Sequence, residues 1–125
     1  MKNAAIFGCG SGGKRTFVHL RSKYRIVAFL DNDQGQHRSR VFGVPVRDPE
    51  SYDYSQAEHV FIASMFFDQI LMQLLALGVP SSKIEYVSDE ILMRDLPNTV
   101  AHRLGFPDSL NVLRRAFYLP FRLLR

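Results

Sequence analysis

Tryptophan is absent from this sequence and cysteine occurs once, at Cys9. A lone cysteine closes no intramolecular disulfide, so a stapled secreted scaffold is excluded and a reducing cytoplasm is the expected setting. No apolar leader with a cleavage site stands at the start, and no uninterrupted apolar run is long enough to span a bilayer. Acids are missing from the end of the chain, where none follows Asp108 while Arg114, Arg115, Arg122 and Arg125 do. Everything before those arginines holds 12 basic and 12 acidic residues, so the net charge of +4 belongs to the tail. A duplex-binding body needs a basic stripe that neutralises several phosphates. The even count offers none, and no nucleic-acid partner is expected. His19, His37, His59 and His102 lack ligand spacing, so no metal site is expected either.

What is present fits one ordinary domain. The chain has 125 residues, 46% of them hydrophobic, enough for a core but too few for two lobes. Ala4, Ala5, Ile6 and Phe7 make a short apolar run that stops at glycine. Residues 14–22 mix Phe17, Val18 and Leu20 with charges, as a surface helix does, and residues 26–30 are again wholly apolar. Continuous rather than alternating apolar strands predict a parallel sheet joined by right-handed crossovers.

Residues 32–40 read as an exposed loop and residues 44–46 as a short edge strand. Asp48 followed by Pro49 is a helix-start signal, so a short helix is expected before Tyr54. Residues 60–63 should be a buried strand, residues 67–77 a strong helix stopped by Gly78, and residues 84–87 the last core strand. Prolines and a glycine break residues 89–125 into a helical extension. The expectation is therefore an α/β fold, a Rossmann-like parallel sheet of about five strands with flanking helices, occupying residues 1–88.

Between the first strand and helix, Gly8, Cys9, Gly10, Ser11, Gly12 and Gly13 satisfy G-x-G-x-x-G. Gly8 permits the tight turn, Gly10 lets a pyrophosphate approach the backbone, and Gly13 lets the helix pack close. The helix N-terminus then points free N–H groups at a phosphate, with Lys14 beside it. Asp31 ends the second strand about 20 residues on, where this fingerprint places a ribose-binding acid. It would favour NAD over NADP, although Arg38 and Arg40 follow in the loop and an arginine there suits a 2′-phosphate. A packing turn at the glycines and a turn role for Asp31 remain the bland alternatives. Gly8, Gly13 and Lys14 also fit most of a P-loop, but that motif needs a serine or threonine where Arg15 stands. Cys9, next to a helix N-terminus, is either a small residue that fits the turn or a thiol with a lowered pKa. Asp68 reads as a first-turn helix acid rather than a base.

With these segments, together with residues 29–33, 42–46 and 60–64, the chain resembles the small Rossmann domains of bacterial polysaccharide biosynthesis. These occur in nucleoside-diphosphate-sugar epimerase or dehydratase proteins and beside sugar acyltransferases and methyltransferases. The resemblance covers about residues 3–87, and CoA-binding and NAD-binding relatives share its layout. It implies a ligand, NAD or another nucleotide such as a UDP-sugar, across the carboxyl ends of the first and fourth strands. That ligand would touch the glycine loop, Asp31 and Asn32, and the turn Ala63, Ser64, Met65. Dehydratases of this kind carry a tyrosine with a lysine four residues later. None of Tyr24, Tyr52, Tyr54, Tyr86 or Tyr118 has one, so no catalytic residue is expected.

The expected function is a nucleotide-binding domain serving sugar-nucleotide or polysaccharide synthesis, partnered by a larger biosynthetic enzyme or a second copy. A small complete sugar-nucleotide-modifying enzyme and a non-binding scaffold remain the other readings. Leu110, Leu113, Phe117, Phe121 and Leu124 line one side of a basic amphipathic stretch. Residues 110–125 are thus expected either to lie on the inner membrane face or to pack on protein.

Overall fold

The computed structural model describes residues 1–92 of the chain. Strand β1 (Lys2–Phe7) ends in four residues with almost no solvent exposure, Ala4, Ala5, Ile6 and Phe7. A strand this apolar must be covered on both faces, and it lies at the centre of the sheet. The chain turns at the glycines into α1 (Ser11–Leu20), returns in β2 (Tyr24–Leu30) parallel to β1, and makes a hairpin of β3 (Arg40–Val41) and β4 (Val44–Arg47). Then follow β5 (His59–Ile62), α2 (Phe67–Ala76), β6 (Ile84–Tyr86) and the short α3 (Asp89–Leu92).

The six strands lie in the order β3-β4-β2-β1-β5-β6, parallel except for the β3–β4 pair. From β1 the chain steps outward through β2 to β4, whereas from β5 it steps the other way to β6. Right-handed crossovers therefore put α1 and α2 on opposite faces. The reversal between β1 and β5 opens a crevice at their carboxyl ends, where doubly wound sheets bind ligands. This is the Rossmann-like α/β fold expected from the sequence.

The interior is built from Phe7, Phe29, Leu30, Ile62, Leu74 and Ile84, all essentially without exposure. α2 delivers Phe67, Ile70, Leu71 and Leu74 to it at helical spacing and stops at Leu77, with Gly78 at φ +85°. A left-handed glycine after the last turn is the usual stop. The Phe67 ring meets Tyr86 of β6 edge-on at 4.2 Å between centroids, which fastens the helix to the sheet edge.

Several local expectations are corrected. α1 starts at Ser11 rather than at residue 14, so Gly12 and Gly13 lie inside the helix. Asp48 and Pro49 start no helix. The Asp48 carboxylate accepts the Glu50 N–H at 3.0 Å, its carbonyl accepts from Ser51 and Tyr52, and a 3-10 turn at Tyr54–Gln56 is all the helix formed before β5. An aspartate that closes its own turn competes with the helix it could have capped. The loop expected through residue 40 ends in β3, which pairs outside β4, so residues 44–46 are not the sheet edge. The link is a two-residue turn with positive φ at both Phe42 (52°) and Gly43 (77°). Phenylalanine is a poor residue for that conformation, which is why no hairpin was legible there. The helical extension beyond residue 92 and the basic stretch 110–125 lie outside the described residues.

Candidate functional site

The glycine loop occupies the mouth of the crevice, and each of its glycines meets a different constraint. Gly8 has φ +114°, and a Cβ there would stand 2.7 Å from the Ala63 carbonyl oxygen. At Gly13 a Cβ would fall 1.8 Å from the Gly8 carbonyl oxygen, so the helix can approach the loop only through glycine. Gly10, the N-cap of α1, is the opposite case, because nothing lies within 4 Å of where its Cβ would be. Bare backbone here faces open space at a helix start that has no acid in its first turn and no side-chain cap. Such a terminus attracts an anion. Lys14 is exposed in the same turn.

Asp31 does more than end β2. Its Oδ2 accepts both the backbone N–H and the thiol of Cys9, each at 3.1 Å, while Oδ1 accepts the Asp33 N–H at 2.9 Å. The His37 ring donates from Nε2 to the Asp31 carbonyl at 2.5 Å. Burial works against the Asp31 charge, but the Asp33 N–H and the two Cys9 donors outweigh it and hold the carboxyl below its ordinary value of 3.8. Oδ1 retains a lone pair for a further donor. A ribose hydroxyl can therefore still be accepted by a carboxylate whose first task is to tie the loop to β2.

For Cys9 the structure corrects the lowered-pKa reading. Burial, the hydrogen bond to Asp31 and the Asp31 charge together push the thiol up to about 12. It is a protonated donor at neutral pH, not a nucleophile.

The residues expected to line the site do come together. The Ala63 carbonyl approaches both Gly8 and Gly12, bringing the turn after β5 against the loop. Ser64 accepts the Phe66 N–H at 3.1 Å and shapes that turn, leaving Met65 and Phe66 exposed. Asn32 also stands at the rim but is committed elsewhere. It exchanges amide hydrogen bonds of 2.9 and 2.8 Å with Gln73 of α2, which also donates to Glu50. Gln73 and Glu50 went unread in the sequence, and the one available hint was a glutamine interrupting the apolar run of α2.

Arg15, the residue that spoils a P-loop, has its own task. Its Nε donates to the Ile91 carbonyl at 2.8 Å and its Nη2 to the Leu92 carbonyl, so the guanidinium clasps the end of α3. Thr16 is buried and donates to the Gly12 carbonyl at 2.8 Å. Neither side chain is placed to hold a magnesium ion as a P-loop serine or threonine would. Asp68 lies in the first turn of α2, as expected. Among the described residues no group of three His, Cys, Asp or Glu is placed to hold a metal ion, and no helix is long and apolar enough to cross a membrane.

A family model, C2185-like, N-terminal, matches residues 1–85 and so takes in the whole sheet but its last residue. The chain belongs to this family. No curated protein matches it. Among solved structures, the C2185-like domain is similar to UDP-D-quinovosamine 4-dehydrogenase from Vibrio fischeri. Identity is 20% and the TM-score 0.50, with 73% of this chain and 97% of that one covered. It is also similar to RSP, a Rex-family repressor, at 15% identity and a TM-score of 0.54, over 92% of this chain and 63% of the repressor. RSP in complex with NAD+ and operator DNA matches at the same identity and TM-score. At these identities the likeness is one of fold, and the chain spans less than two thirds of the repressor's length.

Proposed function

We propose that this C2185-like domain binds a nucleotide, NAD or a nucleotide sugar, with its phosphates on the glycine loop. The observation that carries the reading is Gly10, whose missing side chain leaves the N-terminus of α1 open to the crevice while Gly8 and Gly13 are closed off by protein. In this reading the phosphates meet the first-turn N–H groups and Lys14, the sugar lies toward Asp31 Oδ1, and Ala63, Ser64 and Met65 form the opposite wall. The Vibrio fischeri protein's name joins a UDP-sugar to a dehydrogenase, and RSP is described with both NAD+ and NADH, which supports this ligand class. A service role in sugar-nucleotide or polysaccharide synthesis is supported by the resemblance of the glycine and Asp31 segments, and a cytoplasmic setting by the single cysteine.

Titration calorimetry of the full chain with NAD+, NADP+, coenzyme A and a UDP-sugar tests the reading, alongside Gly10→Val. At φ −76° and ψ −160° Gly10 has a backbone any residue adopts, so the variant should melt within a few degrees of the native chain. It should bind its ligand at least about tenfold more weakly because the side chain fills the phosphate approach. No binding to any of the four, or equal affinity in the folded variant, refutes the proposal.

A further inference from the structure

The even charge count of the body hides an uneven distribution. Residues 1–47 carry nine Lys or Arg against two Asp or Glu, whereas residues 48–88 carry one against six. The minority charges are taken up by hydrogen bonds. Asp31 accepts from Cys9 and from the Asp33 N–H, Asp33 accepts the Gly35 N–H, and Lys83 donates to the Tyr54 and Ala57 carbonyls at 2.9 and 3.1 Å. This sets α1, β2 and the β3–β4 hairpin, which carry bases and no acid, against α2 and β6, which carry Asp68 and Glu85 and no base, and the acid-rich segment 48–58.

Each half also exposes an apolar centre. On the basic side Phe42 is 56% exposed at the hairpin tip, held at φ +52° and stacked on Phe17 of α1 with centroids 4.8 Å apart. A bulky residue in that conformation stores strain, and strain of this kind collects where a side chain must be displayed. On α1 and its C-cap Lys14, Val18 and Arg21 are exposed, Val18 to 53%, and Arg40 donates to the Gly43 carbonyl at the hairpin tip at 2.9 Å. On the acidic side α2 shows Asp68, Met72 and Leu75, with Met72 62% and Leu75 42% exposed, and Glu50 accepts a hydrogen bond from Gln73 of the same helix. The two stripes share one spacing. Lys14, Val18, Arg21 and Asp68, Met72, Leu75 each follow i, i+4, i+7, which puts three side chains on one helix face.

We propose that the α1–hairpin face of one chain docks on the α2 face of a second copy, Phe42 and Val18 meeting Met72 and Leu75 inside a rim of Lys14, Arg21 and Arg40 against Asp68 and Glu50. An apolar centre within a complementary charged rim is the usual anatomy of a specific interface. The occupant is a second copy because the chain itself carries the surface opposite in charge and equal in spacing. Since α1 and α2 lie on opposite faces of the sheet, the contact is heterologous, and each added copy leaves one face of each kind free.

Sedimentation velocity on the full chain tests this through two variants. Phe42→Asn with Val18→Gln removes the basic face's centre, and Met72→Gln with Leu75→Gln removes the acidic one. The native chain should self-associate with concentration, less so as salt rises. Each variant alone should stop at the monomer, with the association constant lowered at least about tenfold, while circular dichroism shows the native fold. An equimolar mixture should then give a one-to-one dimer and nothing larger, because each variant keeps the face the other has lost. A native chain that stays monomeric at low salt, a variant that still self-associates, or a mixture that forms no dimer overturns the proposal. A variant that loses the native fold is replaced by the single Val18→Gln or Leu75→Gln on the same face, to which the same outcomes apply.

Discussion

Gly13 leaves no room for even a methyl group, because the atom it would meet is the backbone carbonyl of Gly8 at 1.8 Å. Gly13→Ala must push helix and loop apart and should cost about 3 kcal/mol or more, read as a lowered urea midpoint, while Gly10→Ala changes stability by less than about 1 kcal/mol. The Cys9–Asp31 contact makes a second prediction. Asp31 has a folded-state pKa below its ordinary 3.8, so its share of stability is present above that value and disappears as pH falls through the acid range. Cys9 has a folded-state pKa raised from 9.0 to about 12, so its share is full below pH 9.0 and disappears as pH climbs toward 12. Melting temperature against pH should show both flanks. Cys9→Ser, which keeps a donor to Asp31 but does not titrate there, should flatten the alkaline flank in part, the remainder belonging to Tyr52 and Tyr54, whose hydroxyls are also pushed up, chiefly by burial. An unchanged alkaline flank in that variant would remove Cys9 from the account. The glycines and Asp31 were legible in the sequence because each rests on a steric or charge rule tied to a fixed spacing. The thiol contact was not, since it depends on where β2 ends relative to the loop.

Among elements, the buried strands β1, β2 and β5 and helix α2 stand within two residues of where their apolar runs placed them, because burial on both faces writes itself into composition. The elements that went unread are those whose residues contradict local preference: a hairpin turned by Phe42, a helix that begins on glycines, and a proline start that closes into a turn. In each, tertiary contact or a side chain's own hydrogen bond prevails over propensity. α3 shows the same dependence, for four residues make a poor helix alone and this one is held by Arg15. Arg15→Ala should release it, costing about 1.5–3 kcal/mol of local stability at two charge-assisted hydrogen bonds, seen as faster amide exchange at Ile91 and Leu92, with β1 unchanged. Arg15→Lys should rescue little, since an ammonium does not reproduce the two-pronged fork. Protection at residues 91–92 equal to that of the native chain would show that the clasp is ornamental.

For the whole molecule, Leu74 is the test of the core, since it is fully buried and Leu74→Ala should cost about 2–5 kcal/mol in urea unfolding. The central position of β1 has another consequence, in the order of events during synthesis. β1 can join β2 soon after both emerge, because only α1 separates them, but its other edge is closed by β5, where Ala4 pairs with His59 fifty-five residues later. At a synthesis rate of about 5–20 residues per second, that edge of the central strand stays open for roughly 3–11 seconds. Residues 1–30 thus hold a half-finished template for any other strand while β5 is still to be made, and it is through this interval, more than in the finished fold, that the chain has most to gain from a chaperone.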